Sequence, residues 1–158
     1  MLTKHEFLTS LAREVDATAA LGARLGEQHL VFRFTPGQRS TQELLEYLTV
    51  HLAAGMGYFV TGSWDLWERR SEQAKGVTPA GFPAAMQAEL EAVERMLAPI
   101  SDTRFVTMQI RHWNGKRMTL AEACSEYLLK FAVAYKMQLF LQAKAAGLSE
   151  LGSADLWA

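Results

Sequence analysis

The chain has 158 residues, 49% of them hydrophobic, and its 16 basic and 17 acidic residues give a formal net charge of −1. A chain of this length buries roughly 70% of the surface that its unfolded form exposes, so it can build a hydrophobic core. A nearly neutral chain lacks the strong positive field that favours nucleic acid or anionic lipid, and neither is an expected partner.

Cysteine content and the N-terminal segment indicate the compartment. Cys124 is the single cysteine, so it can form neither an intramolecular disulfide nor a cysteine-rich zinc cluster. The N-terminal sequence becomes charged at Lys4 and lacks the apolar core of a secretory signal. No segment reaches the ~18 apolar residues of a membrane span. We therefore expect a soluble, unprocessed protein of the reducing cytoplasm, without a membrane partner.

Three predicted helices begin with the same signal, a hydroxyl residue followed three positions later by glutamate. Each pair precedes apolar residues at helical spacing, as a capping box should. The pairs are Thr3/Glu6, Ser40/Glu43 and Thr119/Glu122.

The first half of the chain predicts two helices separated by a loop. The first helix covers about 4–24, and its buried face contains Phe7, Leu8, Leu11, Val15 and Ala19. Segment 29–34 alternates weakly, but one short run without a partner strand cannot make a sheet, so we predict an ordered loop. The second helix starts at Ser40 and places His51 on its inward stripe. The other members of that stripe are Leu44, Leu48, Gly55 and Phe59.

The second half predicts two further helices. The third begins near Pro83, which suits a first helical position, and ends before Pro99. The fourth runs from Thr119 to about Ala146 and is capped by Gly147. Segments 60–82 and 99–118 are predicted as loops that pack over the bundle. Without a linker, the chain is expected to form one domain over 1–158. The predicted core positions are Met86, Leu90, Val93 and Leu97 in the third helix, and Leu120, Cys124, Tyr127, Leu128, Phe131, Tyr135 and Leu139 in the fourth.

Several segments of the chain are similar to those of one known family of helical proteins. Segment 34–40, Phe-Thr-Pro-Gly-Gln-Arg-Ser, with Glu43-Leu44-Leu45 and His51, is similar to the start of that family's helix two. Segment 135–139, Tyr-Lys-Met-Gln-Leu, resembles the family's His-Arg-Gly-Gln-Leu segment near the end of its last long helix. Trp113-Asn114-Gly115 and the closing Leu156-Trp157 are also similar. Together these segments resemble the DinB/YfiT-like family, a superfamily of metalloenzymes. The resemblance implies an all-α four-helix bundle of the DinB/YfiT-like type.

The resemblance also implies a metal site, and here the sequence departs from the family. DinB-like proteins bind a divalent metal through a histidine on helix two and an HxxxH pair on the last helix. His51 matches the first position, but Phe131 and Tyr135 stand at the other two. Of the remaining histidines, His112 is a conceivable ligand because its loop must cross the bundle, but exposed loop histidines usually have no ligand role. We therefore expect a degenerate metal triad and no cofactor, with nickel or zinc bound only if unrecognised ligands join His51.

His51 allows two interpretations. It is either a core histidine satisfied by Tyr135, a backbone carbonyl or water, or part of a ligand pocket lined by His51, Tyr127, Phe131 and Tyr135. Aromatic side chains at this spacing are expected to fill much of the former metal site. Cys124 has no basic neighbour in sequence to activate it, so a structural role is expected. The chain carries no standard catalytic motif, and the catalytic residues stay unknown.

Three classes of function stay open. The leading hypothesis is a DinB-like protein without the family's metal that binds a small ligand or has a structural role. The alternatives are a metal-dependent thiol transferase or hydrolase using His51, and a protein-interaction module. A homodimer is expected because the outer face of the fourth helix is apolar, unless loops or the C-terminal tail cover it. That face contains Val133, Met137, Phe140 and Leu141, beside Lys130 and Lys144.

Overall fold

Four long helical units pack around an apolar core in the computed structural model, which describes residues 2–157. Positions 1 and 158, the ends of the predicted domain, lie outside the described residues. The units are α1, the broken pair α2–α3, α5, and the run from α7 through a π-helical segment to α8, which confirms the all-α bundle. The helices are α1 Lys4–Ala23, α2 Thr41–Leu48, α3 His51–Thr61, α4 Asp65–Ala74, α5 Phe82–Leu97, α6 Asp102–Thr107, α7 Leu120–Ala123, the π segment Cys124–Leu129 and α8 Lys130–Ala146.

Short elements connect these helices. Strands β1 Gln109–Arg111 and β2 Arg117–Thr119 form an antiparallel hairpin, and 3₁₀ turns cover Glu27–His29 and Ser153–Leu156. Segment 29–34, predicted as an ordered loop, contains no strand. None of the helices between residues 2 and 157 has both the length and the apolar character needed to cross a membrane.

The three predicted capping boxes are all present. At the start of α1, the Glu6 N–H donates to Thr3 Oγ1 at 3.1 Å, and the Thr3 N–H donates to Glu6 Oε2 at 2.8 Å. The starts of α2 and α7 repeat this exchange, which satisfies backbone donors that have no partner within the helix. These local bonds fix where three of the helices begin.

The predicted apolar stripes form the core. In α1 and α5 the stripes are buried as expected, with Leu8 only partly buried at the edge. The inward stripe of α2–α3, including His51, is also buried. In the last helical run, Leu120, Cys124, Leu128 and Leu139 are buried as predicted. Tyr127, Phe131 and Tyr135, also predicted as core, are only partly buried.

Several predicted boundaries were wrong. The predicted second helix is interrupted at Thr49 and Val50, and the fourth contains the π segment. Segment 60–82 contains α4, and segment 99–118 contains α6 and the hairpin. Sequence periodicity missed α4 because the helix is rich in charge and buries only Ala74 fully. The strands are three residues each, too short to show alternation.

The outer face of α8 is only partly as predicted. Phe140 is buried, which corrects its assignment to that face, and Lys144 Nζ lies 5.6 Å from the centroid of its ring. Val133, Met137 and Leu141 are 45%, 41% and 49% exposed. These three residues, spaced four apart, form an apolar stripe on the surface.

The contact between α1 and α5 generates a prediction about stability. A Cβ added at Gly22 would lie 2.1 Å from Cδ1 of Phe82, whose side chain is fully buried. Alanine raises helix propensity by about 1 kcal/mol relative to glycine, but overpacking a core costs typically about 1–3 kcal/mol. We expect Gly22→Ala to lower the free energy of unfolding, measured by urea denaturation. Gly37→Ala is the matched control, since nothing lies within 4 Å of its added Cβ. Equal stability of the two variants would contradict this packing.

Candidate ligand cleft

A break between α2 and α3 positions His51. Thr49 and Val50 are β-branched residues with low helix propensity, and Val50 leaves helical geometry with φ −131°. The break leaves the carbonyl of Leu48 without its usual partner, the N–H four residues later. Nδ1 of His51 lies 3.1 Å from this oxygen. His51 is therefore the first residue of α3 and is bonded back to the end of α2.

A buried carboxylate from α5 accepts a hydrogen bond from the first turn of α3. The Ala53 N–H donates to Oε2 of Glu89 at 2.9 Å, and Arg70 of α4 forms an ion pair with Oε1. Burial raises the pKa of Glu89, while Arg70 and the backbone hydrogen bonds oppose this shift. A carboxylate near the first turn of a helix also interacts favourably with the helix dipole. Glu89 therefore joins α3, α4 and α5.

Glu89 was overlooked in the sequence, although a signal was present. It interrupts the apolar stripe of α5, with Met86 three residues before it and Leu90 directly after it. All three side chains are buried. A glutamate within such a stripe is unusual because buried carboxylates need partners. That pattern points to a structural ion pair or a functional site.

The contacts of His51 fix its protonation. A carbonyl oxygen only accepts hydrogen bonds, so Nδ1 carries a hydrogen, which it donates to Leu48. Burial lowers the pKa of His51 to about 4, so the ring is neutral at pH 7 and Nε2 carries a lone pair. Nε2 is buried and receives no hydrogen bond from any residue between 2 and 157. His51 thus presents a buried, unpaired acceptor.

A cleft of about 440 Å³ lies beside His51. This volume is within the range of small-molecule sites. Trp64 lies directly before α4, Trp67 lies in α4, and Trp113 follows β1. Three indoles therefore converge from segments that were predicted as loops. The cleft is lined by Tyr47, His51, Gly55, Trp64, Trp67, Trp113, Leu128 and Phe131.

The structure separates the four predicted pocket residues. His51 and Phe131 line the cleft. Tyr135 is outside the lining but contacts His51 edge-on, with ring centroids 5.6 Å apart. Tyr127 instead stacks on His112, at a centroid distance of 3.7 Å. Tyr47, which the sequence did not single out, stacks on His51 at 5.2 Å.

The hairpin places His112 in a different environment from the exposed loop predicted for it. His112 is only 2% exposed, and its Nδ1 accepts a hydrogen bond from the Asn114 N–H at 3.2 Å. Its ring contacts Trp113 as well as Tyr127. Asn-Gly is a strong hairpin signal, and Gly115 has φ +88°. Asn114-Gly115 could therefore have predicted this turn from the sequence.

The side chains around His51 do not fit the metal site that the resemblance implies. That site needs three imidazoles, whereas Phe131 has no donor atom and Tyr135 supplies a phenol. The rings of Tyr47 and Tyr135 pack together with their centroids 4.7 Å apart, and burial raises the pKa of Tyr47. Across residues 2–157, no three histidine, cysteine, aspartate or glutamate side chains are grouped so that they could hold a metal ion.

Comparisons with known proteins establish the fold. A DinB-like protein of Bacillus subtilis, YjoA, superposes with a TM-score of 0.70 and 13% identity over 93% of this chain and 95% of its own. A DinB-like protein of Bacillus cereus gives 0.72 and 16%, over 96% and 97%. No protein-family model matches the sequence, and no curated protein matches it significantly. The chain thus has the DinB-like fold that its sequence predicted.

The buried imidazole predicts a specific pH dependence of stability. An unfolded histidine has a pKa near 6.5, above the folded value of about 4, so the unfolded state binds more protons between these values. The neutral imidazole of His51 therefore contributes its full stability above pH 6.5. As the pH falls from 6.5 towards 4, this contribution decreases by about 1.4 kcal/mol per pH unit, or roughly 3 kcal/mol in total.

Urea denaturation between pH 7 and pH 4 measures this effect. His51→Asn should show a shallower loss of stability than the wild type. His5→Gln changes an exposed histidine and should keep the wild-type slope. Identical slopes for His51→Asn and the wild type would show that His51 is not buried in its neutral form.

Proposed function

We propose that the protein binds a small, largely apolar aromatic molecule in the cleft and does so without a three-histidine metal site. The observation that carries this proposal is the cleft of about 440 Å³, whose lining is mainly aromatic and includes the neutral imidazole of His51. Small-molecule sites typically combine an apolar lining with a few polar groups that orient the ligand. Indole, phenyl and phenol rings favour a flat, aromatic ligand.

Binding is favoured over catalysis because the cleft offers little chemistry. The pKa of about 4 makes His51 a weak base at neutral pH. The only other lining side chain that ionises is Tyr47, whose pKa is raised. Cys124 does not line the cleft, and burial raises the pKa of its thiol, which disfavours a nucleophilic thiolate. A buried, unpaired cysteine is also compatible with the cytoplasmic location that we propose.

Ligand binding can be tested with 2-naphthol as the probe. Wild-type protein should bind it with 1:1 stoichiometry by isothermal titration calorimetry and should be stabilised by about 1.4 kcal/mol at ten times Kd. Trp67→Ala removes one wall of the cleft and should weaken binding at least fivefold. Trp157→Ala is the matched control, because Trp157 is 73% exposed and packs on Lys136.

Two outcomes would contradict the proposal. Equal loss of affinity in both tryptophan variants would place binding outside the cleft. Stoichiometric zinc or nickel in purified, untagged protein, or in a titration, that disappears in His51→Ala would instead support the metal-dependent alternative. Elemental analysis and metal titration therefore distinguish the two functions directly.

The stripe of Val133, Met137 and Leu141 favours self-association as a second property. Contiguous exposed apolar surface is a common feature of interfaces, and these three side chains lie four residues apart on one helix face. We propose that two copies of the chain pack through this face of α8.

Sedimentation equilibrium at micromolar concentration should detect a dimer, and Met137→Glu should convert it to a monomer. Gln138→Glu adds the same charge to a neighbouring, partly buried position and should leave the dimer intact. A monomeric wild type would exclude the dimer but would not affect the cleft.

A further inference from the structure

We propose that the β1–β2 hairpin carries a second binding site, which takes a soluble phosphorylated small molecule by its phosphoryl group. The guanidinium groups of Arg111 and Arg117 hold the phosphoryl oxygens, and Lys116 adds a third positive charge. None of these three residues lines the cleft, so the site is independent of the ligand proposed there. The local charge, the pairing of the two strands and the partners of the neighbouring acidic residues support it.

The segment that contains the hairpin is basic, although the whole chain is nearly neutral. Between Asp102 and Glu122 the sequence has four basic residues and no acidic residue. All four basic side chains are exposed, and they are those of Arg104, Arg111, Lys116 and Arg117. Positive charges concentrated on one surface attract anions locally, even on a chain whose formal net charge is −1.

Two of these arginines are opposite each other on the two strands. Arg111 pairs with Arg117 in the antiparallel register, and the His112 N–H next to them donates to the Lys116 carbonyl at 2.9 Å. Because hydrogen-bonded pairs alternate with non-hydrogen-bonded pairs, the two arginines occupy a non-hydrogen-bonded position, where opposite side chains are closest. Ile110 is buried, so both arginines lie on the outer side of the hairpin. Like charges directly opposite each other are destabilising, and a bound anion removes that repulsion.

Carboxylates of the chain do not neutralise this pair. None of the three basic hairpin residues forms an ion pair with any residue between 2 and 157. The acidic residues that flank the segment have other partners. Glu122 Oε2 accepts a hydrogen bond from the Thr119 N–H at 2.7 Å, and Asp102 Oδ1 lies 3.7 Å from Nζ of Lys4. The two guanidinium groups are therefore available to an anion from solution.

A phosphoryl group suits two facing arginines better than a planar carboxylate does. Guanidinium groups bind phosphate oxygens in pairs, and a phosphoryl group has three acceptor oxygens to share between two guanidinium groups. Nη2 of Arg111 lies 3.9 Å from the position of a Cβ at Gly115, so this guanidinium lies beside the turn. The N–H groups of Asn114, Gly115 and Lys116 already have acceptors within the hairpin. The donors for the anion are therefore side chains.

The size of the hairpin favours a small molecule over a polyanion. Each strand has only three residues, and the facing arginines match one phosphoryl group rather than a row of them. Nucleic acids and anionic membranes are attracted by the charge of a whole protein surface, whereas this chain has a formal net charge of −1. A soluble phosphate monoester requires only the local pair.

Titration of the full chain with inorganic phosphate tests the site. The amide ¹H–¹⁵N resonances of residues 109–119 should shift in a saturable manner at pH 7. Sodium chloride keeps the ionic strength constant, because salt screens the attraction between exposed charges. Shifts of the same size with chloride alone, or the absence of shifts with phosphate, would overturn the proposal.

Three variants separate the arginine pair from general surface charge. Arg117→Gln should weaken phosphate binding by about fivefold or more, because it removes charge-assisted hydrogen bonds. Arg117→Lys keeps the charge but not the fork and should weaken binding less. Arg13→Gln is the matched control, since Arg13 of α1 is also exposed and forms no ion pair in the described part of the chain. Equal affinities of Arg117→Gln and Arg13→Gln would contradict the site.

Arg111→Gln guards against a folding defect in the Arg117 variant. Each substitution relieves the repulsion between the two arginines, so both variants should unfold at a temperature no lower than that of the wild type. The loss of phosphate affinity should be similar in the two. Wild-type affinity in a folded Arg111→Gln variant would overturn the role of the pair.

Sedimentation with vesicles distinguishes a soluble phosphate from a lipid headgroup. The wild type should stay in the supernatant with vesicles of phosphatidylcholine and with vesicles that also contain phosphatidylglycerol. Sedimentation with the anionic vesicles that is lost in Arg117→Gln would overturn the proposal in favour of a membrane surface. The binding of 2-naphthol in the cleft should be unchanged in Arg117→Gln, so failure of either site is recognised separately.

Discussion

The geometry of the cleft depends on Glu89, a fully buried carboxylate at the start of α3. Removing a charge from water costs several kcal/mol, and only close partners offset that cost. Here the partners are Arg70 and the backbone N–H of Ala53, which come from two other helices. The ion pair therefore fixes α4, which carries Trp67, relative to α3, which begins with His51. A neutral glutamine could cap α3 but would leave Arg70 without its counter-charge.

The helical runs α2–α3 and α7–α8 are both distorted where they meet at the cleft wall. The break before His51 turns Nδ1 towards Leu48 and thereby determines the tautomer. The π segment carries Leu128, and a Cβ at Gly55 would lie 2.7 Å from its Cδ2 atom. Glycine allows α3 and the π segment to approach closely at the cleft wall. π-helical turns are frequent at functional sites because they shift the register of side chains locally.

Capping motifs and apolar spacing correctly predicted the parts of the fold that depend on residues close together in the sequence. The Thr3/Glu6 capping box fixed a helix start, and the four-three spacing of Leu44, Leu48 and His51 placed the histidine inward correctly. The cleft was not predictable in the same way, since its walls come from segments distant in sequence. The positions of Trp67 and Trp113 depend on a charge-rich helix and a short hairpin, neither of which has an apolar period. The likeness to DinB-like proteins supplied the bundle but no ligand.

Phe131 and Tyr135 of the last helical run shape the surroundings of His51. Phe131 makes that side of the cleft apolar, and the ring of Tyr135 packs edge-on against His51 with the centroids 5.6 Å apart. Nε2 of His51 is left as an acceptor that no described side chain satisfies. Such an atom costs about 1–3 kcal/mol, a large share of a stability of typically about 5–15 kcal/mol. An apolar residue at position 51 would avoid that cost. It could not, however, form the hydrogen bond that the His51 side chain makes to Leu48 across the helix break. The structure therefore keeps the Leu48 bond of His51 at the cost of one unsatisfied ring nitrogen.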